Sequence, residues 1–293
     1  MKILLLESYP EIKKEYLEYL EKNNKIYELN DDFDSKAIQA IMIRSKIEIS
    51  NILLDEYPNL KYVARVGVWL DKVDLQECKT RWIKILNTPG ANADSVADLV
   101  LWWILNLLRN LNYWFRWLEN RFDYLWEELN SKSIWIVGFW NIWRKIYERA
   151  KAFWVTKFYI FDPFLKKEDV EQNEFCEFLE KKEDLFEKSN IIGFHIPLLP
   201  ATKNFLWKQE IKLLKENIVL VNTSRWGIID ENELINFLQE NKQARFFTDV
   251  WEEEPNQPKE ILSKLQNVLI TPHIGAMTKQ AEEKMHYFED LVW

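Results

Sequence analysis

Short runs of β-forming residues alternate with longer amphipathic stretches along most of the chain, and this alternation constrains the fold more than any other feature. Ile3 to Glu7, Ala40 to Arg44, Tyr62 to Val66 and Ile83 to Asn87 form a first series. Ile134 to Val137, Phe158 to Phe161, Ile191 to His195, Ile218 to Asn222, Phe246 to Val250 and Val268 to Thr271 form a second. Strands separated by helical periods pair in parallel, and a parallel sheet needs helices on both faces. Two such series in 293 residues predict two α/β units. Between them, Asn92 to Asp98 opens a long amphipathic helix with apolar residues at Leu99, Val100, Ile104, Leu107, Leu108 and Leu111. Ser95 and Asp98 read as its capping box, and its apolar face as core or as a subunit interface. The domain crossover is placed at its N-terminus. Met277 to Trp293 also reads as helical.

Composition narrows the function. A net charge of -8 argues against nucleic acid or an anionic membrane as the main partner, because phosphate surfaces require a basic face. Cys78 and Cys176 are far apart and form no CxxC or Cys/His cluster, so neither a disulfide framework nor a metal site is expected. The apolar run Ile3 to Leu6 ends at Glu7, too soon for a signal peptide or membrane span. A cytoplasmic protein is the expectation.

The segment Val137-Gly138-Phe139-Trp140-Asn141-Ile142-Trp143 lies between a strand-like and a helix-like run, the setting of a dinucleotide fingerprint. Only its first glycine is present. The second would let backbone approach a pyrophosphate and the third would let helix and strand pack closely, so indoles at 140 and 143 are expected to fill that space. Similar substitutions stand in Arg65-Val66-Gly67-Val68-Trp69, Ala152-Phe153-Trp154-Val155 and Asn222-Thr223-Ser224-Arg225-Trp226-Gly227. Fifteen tryptophans and six glycines together take about the ~7% share that glycine alone holds in ordinary proteins. The placement predicts that most of these tryptophans are glycines in the living protein, written as Trp because UGA codons were translated with the wrong table.

Asp162 ends the strand after the fingerprint, where a carboxylate accepts from the adenosine ribose hydroxyls and repels a 2′-phosphate, which favours NAD over NADP. Arg225, Glu254 and His273 stand at or near later strand ends, the edge at which open α/β sheets bind ligands. An imidazole exchanges protons near neutral pH, and a carboxylate beside it favours the imidazolium and fixes the ring. The Arg225 fork suits a substrate carboxylate. Each of the three also has a purely structural reading as a surface charge or turn residue. His286 falls in the polar C-terminal helix, and His195 in a strand-end His-Ile-Pro that is equally readable as structural. There is no GxSxG, HExxH or P-loop.

These residues resemble the NAD-dependent D-isomer-specific 2-hydroxyacid dehydrogenases, and among them the D-3-phosphoglycerate dehydrogenases. Five blocks carry the resemblance in the family's order: Ala64 to Asp74, Asn87 to Asn92, Phe194 to Leu198, Val221 to Arg225 and Thr271 to Ala276. The resemblance implies a Rossmann-type doubly wound sheet over 93–274, inserted in a flavodoxin-like α/β substrate domain of 1–92 and 275–293, with the substrate in the cleft. It implies Arg225 as carboxylate and carbonyl binder, His273 as acid/base and Glu254 as its partner. Cofactor contacts would come from Gly138, Trp140, Asn141, Ile142, Trp143, Asp162, His195, Pro197, Thr202, Thr223, Ser224, Asp249, Gly275 and Ala276. Substrate contacts would come from Arg44, Ser45, Arg65, Asn92 and the backbone N–H groups of Val66, Gly67 and Val68. Arg44 and Arg65 tilt the substrate toward 3-phosphoglycerate, the entry to serine biosynthesis. Glyoxylate or hydroxypyruvate reduction shares every catalytic residue, and an inactive NAD-binding regulatory protein is the alternative of another class. A homodimer is implied, as is a chain shortened at its C-terminus. Trp69, Trp140, Trp143 and Trp226 replace family glycines and, taken literally, block cofactor and substrate.

Overall fold

The computed structural model describes all residues except 8–13, 45, 110, 112–125, 139–140, 163–164, 253, 255 and 289–293. The chain divides into two compact units, 1–95 with 276–293 and 96–275.

The first unit holds five parallel strands in the order β2-β1-β3-β4-β5: β1 Lys2–Leu5, β2 Lys25–Glu28, β3 Ala40–Ile43, β4 Tyr62–Arg65 and β5 Lys84–Leu86. This is the flavodoxin-like order, with a switch point between β1 and β3. Ile3, Leu5, Ala40, Met42 and Ala64 face one core layer, while Leu4, Ile41, Ile43 and Val63 face the other, because successive strand side chains alternate sides. The C-terminal helix Lys279–Met285 closes the first layer through Ala281 and Met285.

The second unit holds seven parallel strands in the order β12-β11-β10-β9-β6-β7-β8. They are β6 Ile134–Val137, β7 Phe158–Phe161, β8 Cys176–Phe178, β9 Ile191–Phe194, β10 Val219–Asn222, β11 Arg245–Thr248 and β12 Val268–Ile270. Counted from β6, this is the Rossmann order extended by one strand, with its switch point between β6 and β9. The fold is therefore the expected pair of doubly wound α/β units.

Several local expectations are corrected. The long helix spans Ala93–Arg109, so Ser95 lies inside its first turn and not at the N-cap position. Asp98 instead pairs with Arg149 at 2.6 Å. Ala93 N–H donates to Gly90 carbonyl at the preceding turn, which leads the chain into the helix. Strands β2 and β8 have no counterpart in the sequence reading. His286 is buried against Glu282, whose carbonyl lies 2.7 Å from its Nδ1, rather than sitting on a polar face. Met277 to Trp293 is helical over Lys279–Met285, and its last five residues lie outside the described residues.

Candidate active site

At the carboxyl edge of the seven-stranded sheet, the loops after β10, β11 and β12 lie side by side because those strands are neighbours. Past β12, the chain turns at His273, which holds a left-handed φ of 54°. Such strain in a bulky residue persists only where surrounding contacts hold it. Asp249, just after β11, supplies them: its carboxylate accepts from Thr271 Oγ1 at 2.5 Å, Ile274 N–H at 2.8 Å and Gly275 N–H at 2.7 Å. Burial pushes the Asp249 carboxyl above the ordinary 3.8, while the three donors and His273 pull it back. A side chain at 275 would meet Asp249 Oδ2 at 2.9 Å, which explains the glycine.

The loop so fixed presents the His273 ring, whose Nδ1 lies 2.7 Å from Glu254 Oε2. Glu254 is itself oriented by Trp251 N–H, at 3.0 Å from its other oxygen. With Nδ1 engaged by the carboxylate, Nε2 remains to exchange a proton with a ligand. His273 is half-exposed and accessible to one.

After β10, Asn222 forms an Asx turn: its Oδ1 accepts from Ser224 N–H at 3.1 Å and Ser224 Oγ at 2.8 Å, and its Nδ2 donates to Arg225 carbonyl at 3.0 Å. This holds the backbone of Arg225. Arg225 Nη1 also donates to Ser224 carbonyl at 2.8 Å. Thr223 Oγ1 lies 3.3 Å from Nδ1 of His195, the residue that follows β9. Full burial pushes the His195 imidazole down to about 3, so it is neutral at physiological pH. Its Nε2 has no partner among the described residues. A Cβ at Gly193 would stand 2.8 Å from that nitrogen, so the ring occupies space that only glycine leaves. Thr202 Oγ1 donates to Pro197 carbonyl at 2.5 Å and closes the following loop.

Gly138 follows β6 with φ 92°, and a Cβ there would meet His195 carbonyl at 3.0 Å and Ile196 Cγ2 at 2.9 Å. The helix Asn141–Ala152 begins shortly after Gly138, and a helix N-terminus suits a pyrophosphate. Asp162 is buried directly after β7, the strand next to β6. This neighbourhood fits a dinucleotide. Among the described residues no group of three His, Cys, Asp or Glu is placed to hold a metal ion.

In the first unit, Arg44 and Arg65 stand at the carboxyl ends of β3 and β4, where Ile43 pairs with Arg65. The Arg44 guanidinium is ion-paired with Glu282, and Arg44 N–H donates to Glu7 at 3.0 Å. Arg65 Nη1 donates to Val66 carbonyl at 2.9 Å and occupies the space beside Gly67, where φ is 130°. The N–H of Val66 donates to Ile43 carbonyl at 2.8 Å, so Val66 has no N–H to offer a ligand, a correction to the expected three-residue cradle. Gly67 and Val68 have no backbone acceptor for theirs among the described residues. Asn92 Oδ1 is buried without a partner among the same residues. Ala276 packs against the core of this unit. Ser45 and Trp140 lie outside the described residues.

Residues 101–275 match the family model described as D-isomer specific 2-hydroxyacid dehydrogenase, NAD binding domain. The chain is 33% identical over 257 residues to a hydroxypyruvate reductase of Thermotoga maritima, covering 85% of this chain and 81% of that protein. It is 31% identical over 254 residues to a D-3-phosphoglycerate dehydrogenase of Methanocaldococcus jannaschii, covering 85% of this chain but only 48% of that longer protein. A D-lactate dehydrogenase from Aquifex aeolicus, solved with NAD and lactic acid, superposes with a TM-score of 0.83 at 24% identity over 97% of this chain and 92% of that one. The chain belongs to the D-isomer specific 2-hydroxyacid dehydrogenases. It is an NAD-dependent enzyme acting on a CH–OH group.

In this dehydrogenase two of the tryptophans behave differently from the sequence expectation. Trp143 is fully buried in the core and its ring stacks on Tyr147 at 5.1 Å, because its place on the helix points it inward. It therefore offers no surface to a cofactor. Trp226 likewise turns into the core against Phe246. The organising roles of Asn222, Thr271, Glu7 and Glu282 escaped the sequence reading. Only Asn222 carried a signal, as an Asn two residues before a Ser in a turn.

Proposed function

We propose that the enzyme oxidises the C2 hydroxyl of a D-2-hydroxy acid bearing a second anionic group, with 3-phosphoglycerate as the substrate. The observation that carries this reading is the pair of guanidinium groups at adjacent strand ends, Arg44 and Arg65, suited to a dianion. The Arg225 fork binds the carboxylate. His273, held by Nδ1–H donation to Glu254, takes the hydroxyl proton at Nε2. The imidazolium formed is stabilised by the Glu254 carboxylate. NAD, when bound, would accept the hydride; Gly138 would admit its pyrophosphate, Asp162 would hold its ribose, and Thr223, beside buried His195, would serve its nicotinamide end.

Hydroxypyruvate reduction is the second reading, and the Arg44–Glu282 ion pair favours it, since a neutralised guanidinium is a poorer phosphate site. Steady-state rates separate the two. For 3-phosphoglycerate, Arg44→Ala is expected to raise KM about tenfold, the loss of one charge-assisted contact of roughly 1.5 kcal/mol, while hydroxypyruvate kinetics stay near wild type. Equal effects on both substrates remove the phosphate role. We also read the protein as a cytoplasmic homodimer. Trp102, 54% exposed on the Ala93–Arg109 helix, supports an interface there, and light scattering at the monomer mass would refute it.

A further inference from the structure

Two helices of this protein end in the same hydrogen-bonded turn, and in both a tryptophan occupies the position that calls for glycine. After the helix Leu75–Thr80, Trp82 N–H donates to Lys79 carbonyl at 3.1 Å and Ile83 N–H reaches back to Cys78 carbonyl at 2.8 Å. After Asn141–Ala152, Trp154 N–H donates to Lys151 carbonyl at 2.9 Å and Val155 N–H to Ala150 carbonyl at 3.3 Å. Each pair of bonds is a Schellman motif, whose first residue beyond the cap must adopt left-handed backbone. Trp82 has φ 58° and Trp154 φ 59°. The apolar residue that follows packs back onto the helix as the motif requires, Ile83 with Cys78 and Val155 with Ala150 in shared clusters.

The indoles themselves do nothing at these sites. Trp82 is 92% exposed and Trp154 77% exposed, so neither ring offsets the strained backbone by burial. The other positive-φ residues besides glycine, among those described, are Phe175, Asn204 and His273. Asparagine tolerates this conformation, and His273 is held there by the Asp249 clamp.

Trp251 stands in contrast: its ring is buried and its Nε1–H donates to Asn256 carbonyl at 2.5 Å. The structure thus separates a tryptophan whose every part is used from two whose backbone is out of place.

We infer that the native polypeptide carries glycine at positions 82 and 154 and, through the same reassigned codon, at position 140, while 251 is a true tryptophan. The fingerprint segment Gly138-Phe139-Trp140-Asn141 then reads glycine at its third place as well as its first, as a dinucleotide-binding sequence calls for. The assignment at 140 rests on the NAD-binding reading of that sequence; those at 82 and 154 rest on backbone geometry alone.

The test is mass spectrometry of protein purified from its own cells and cut with an endoproteinase specific for lysine. The peptides Thr80–Lys84 and Ala152–Lys157 report on 82 and 154, Ser133–Lys145 on 140, and Gln243–Lys259 on 251. The expected fragment ions place glycine at 82, 140 and 154 and an indole at 251. Indoles at 82 and 154 overturn the inference. Glycine at those two with an indole at 140 overturns the cofactor-turn assignment and leaves the helix-end assignments standing. UGA at codons 82, 140 and 154 agrees with the inference, and UGG contradicts it.

Discussion

The loop Thr271–Gly275 and the helix end at Trp154 both force a bulky residue into left-handed backbone, yet they are built on opposite terms. At His273, three donors to Asp249, a glycine at 275 that a Cβ would force against that carboxylate, and the Glu254 contact fix both the strained backbone and the ring. At Trp154 the surrounding bonds fix the backbone alone and the ring projects into water. Strain supported on every side is the kind that clusters at functional sites. Strain with no return marks a mismatch between residue and fold, since natural chains agree with themselves at each level.

The largest effect expected from breaking this contrast is at the clamp. Asp249→Ala leaves buried donors from Thr271, Ile274 and Gly275 unpaired and should lower stability by about 3 kcal/mol, at roughly 1–3 kcal/mol per orphaned group with partial rescue by water. Urea unfolding measures this, and a loss under about 1 kcal/mol would mean that the loop holds its shape without the carboxylate.

A smaller effect depends on pH. The imidazole of His195 falls from 6.5 to about 3 on burial, so the unfolded chain binds its proton first as pH drops. Stability from this residue is complete above pH 6.5 and is lost progressively toward pH 3. Asp249, raised by burial, works in the opposite sense, so His195→Gln must be compared with wild type at each pH. Thermal midpoints of wild type should fall more steeply than those of His195→Gln between neutrality and pH 5. Parallel curves would mean that the ring is hydrated in the folded state.

The smallest effect is at the helix ends. In recombinant protein carrying tryptophan, Trp82→Gly and Trp154→Gly should each stabilise by about 1 kcal/mol, the left-handed cost of a residue with a Cβ less the entropy that glycine adds to the unfolded chain. Destabilisation by either substitution would show that the exposed ring contributes after all.

The fold was largely legible because buried parallel strands are continuous apolar runs: β6 and β7 match the runs read from sequence at both ends, Ile134–Val137 and Phe158–Phe161. Strands β2 and β8 were invisible for the same reason. They are edge strands, and in Lys25-Ile26-Tyr27-Glu28 only Tyr27 is buried, so no run stands out. The helix start at Ala93 agrees with the sequence, but Ser95 and Asp98 only mimic a capping box, since both lie within the helix and a backbone turn at Gly90 precedes it. Residue types at strand ends singled out Arg225, Glu254 and His273 as candidates, of which the structure brings Glu254 and His273 together. The groups that hold them could not be seen: Thr271 and Asn222 act through contacts that exist only once strands β10 to β12 lie side by side. The direction of the Trp143 and Trp226 rings was likewise set by helix phase and core packing rather than by the motif.

The most direct test of the catalytic account is NADH formation from 3-phosphoglycerate or D-lactate by His273→Ala alongside wild type, with NADH affinity measured in parallel. The account predicts turnover lower by about 10²- to 10⁴-fold with cofactor affinity retained. Turnover equal to wild type would remove His273 from the chemistry and leave its contact with Glu254 a structural one.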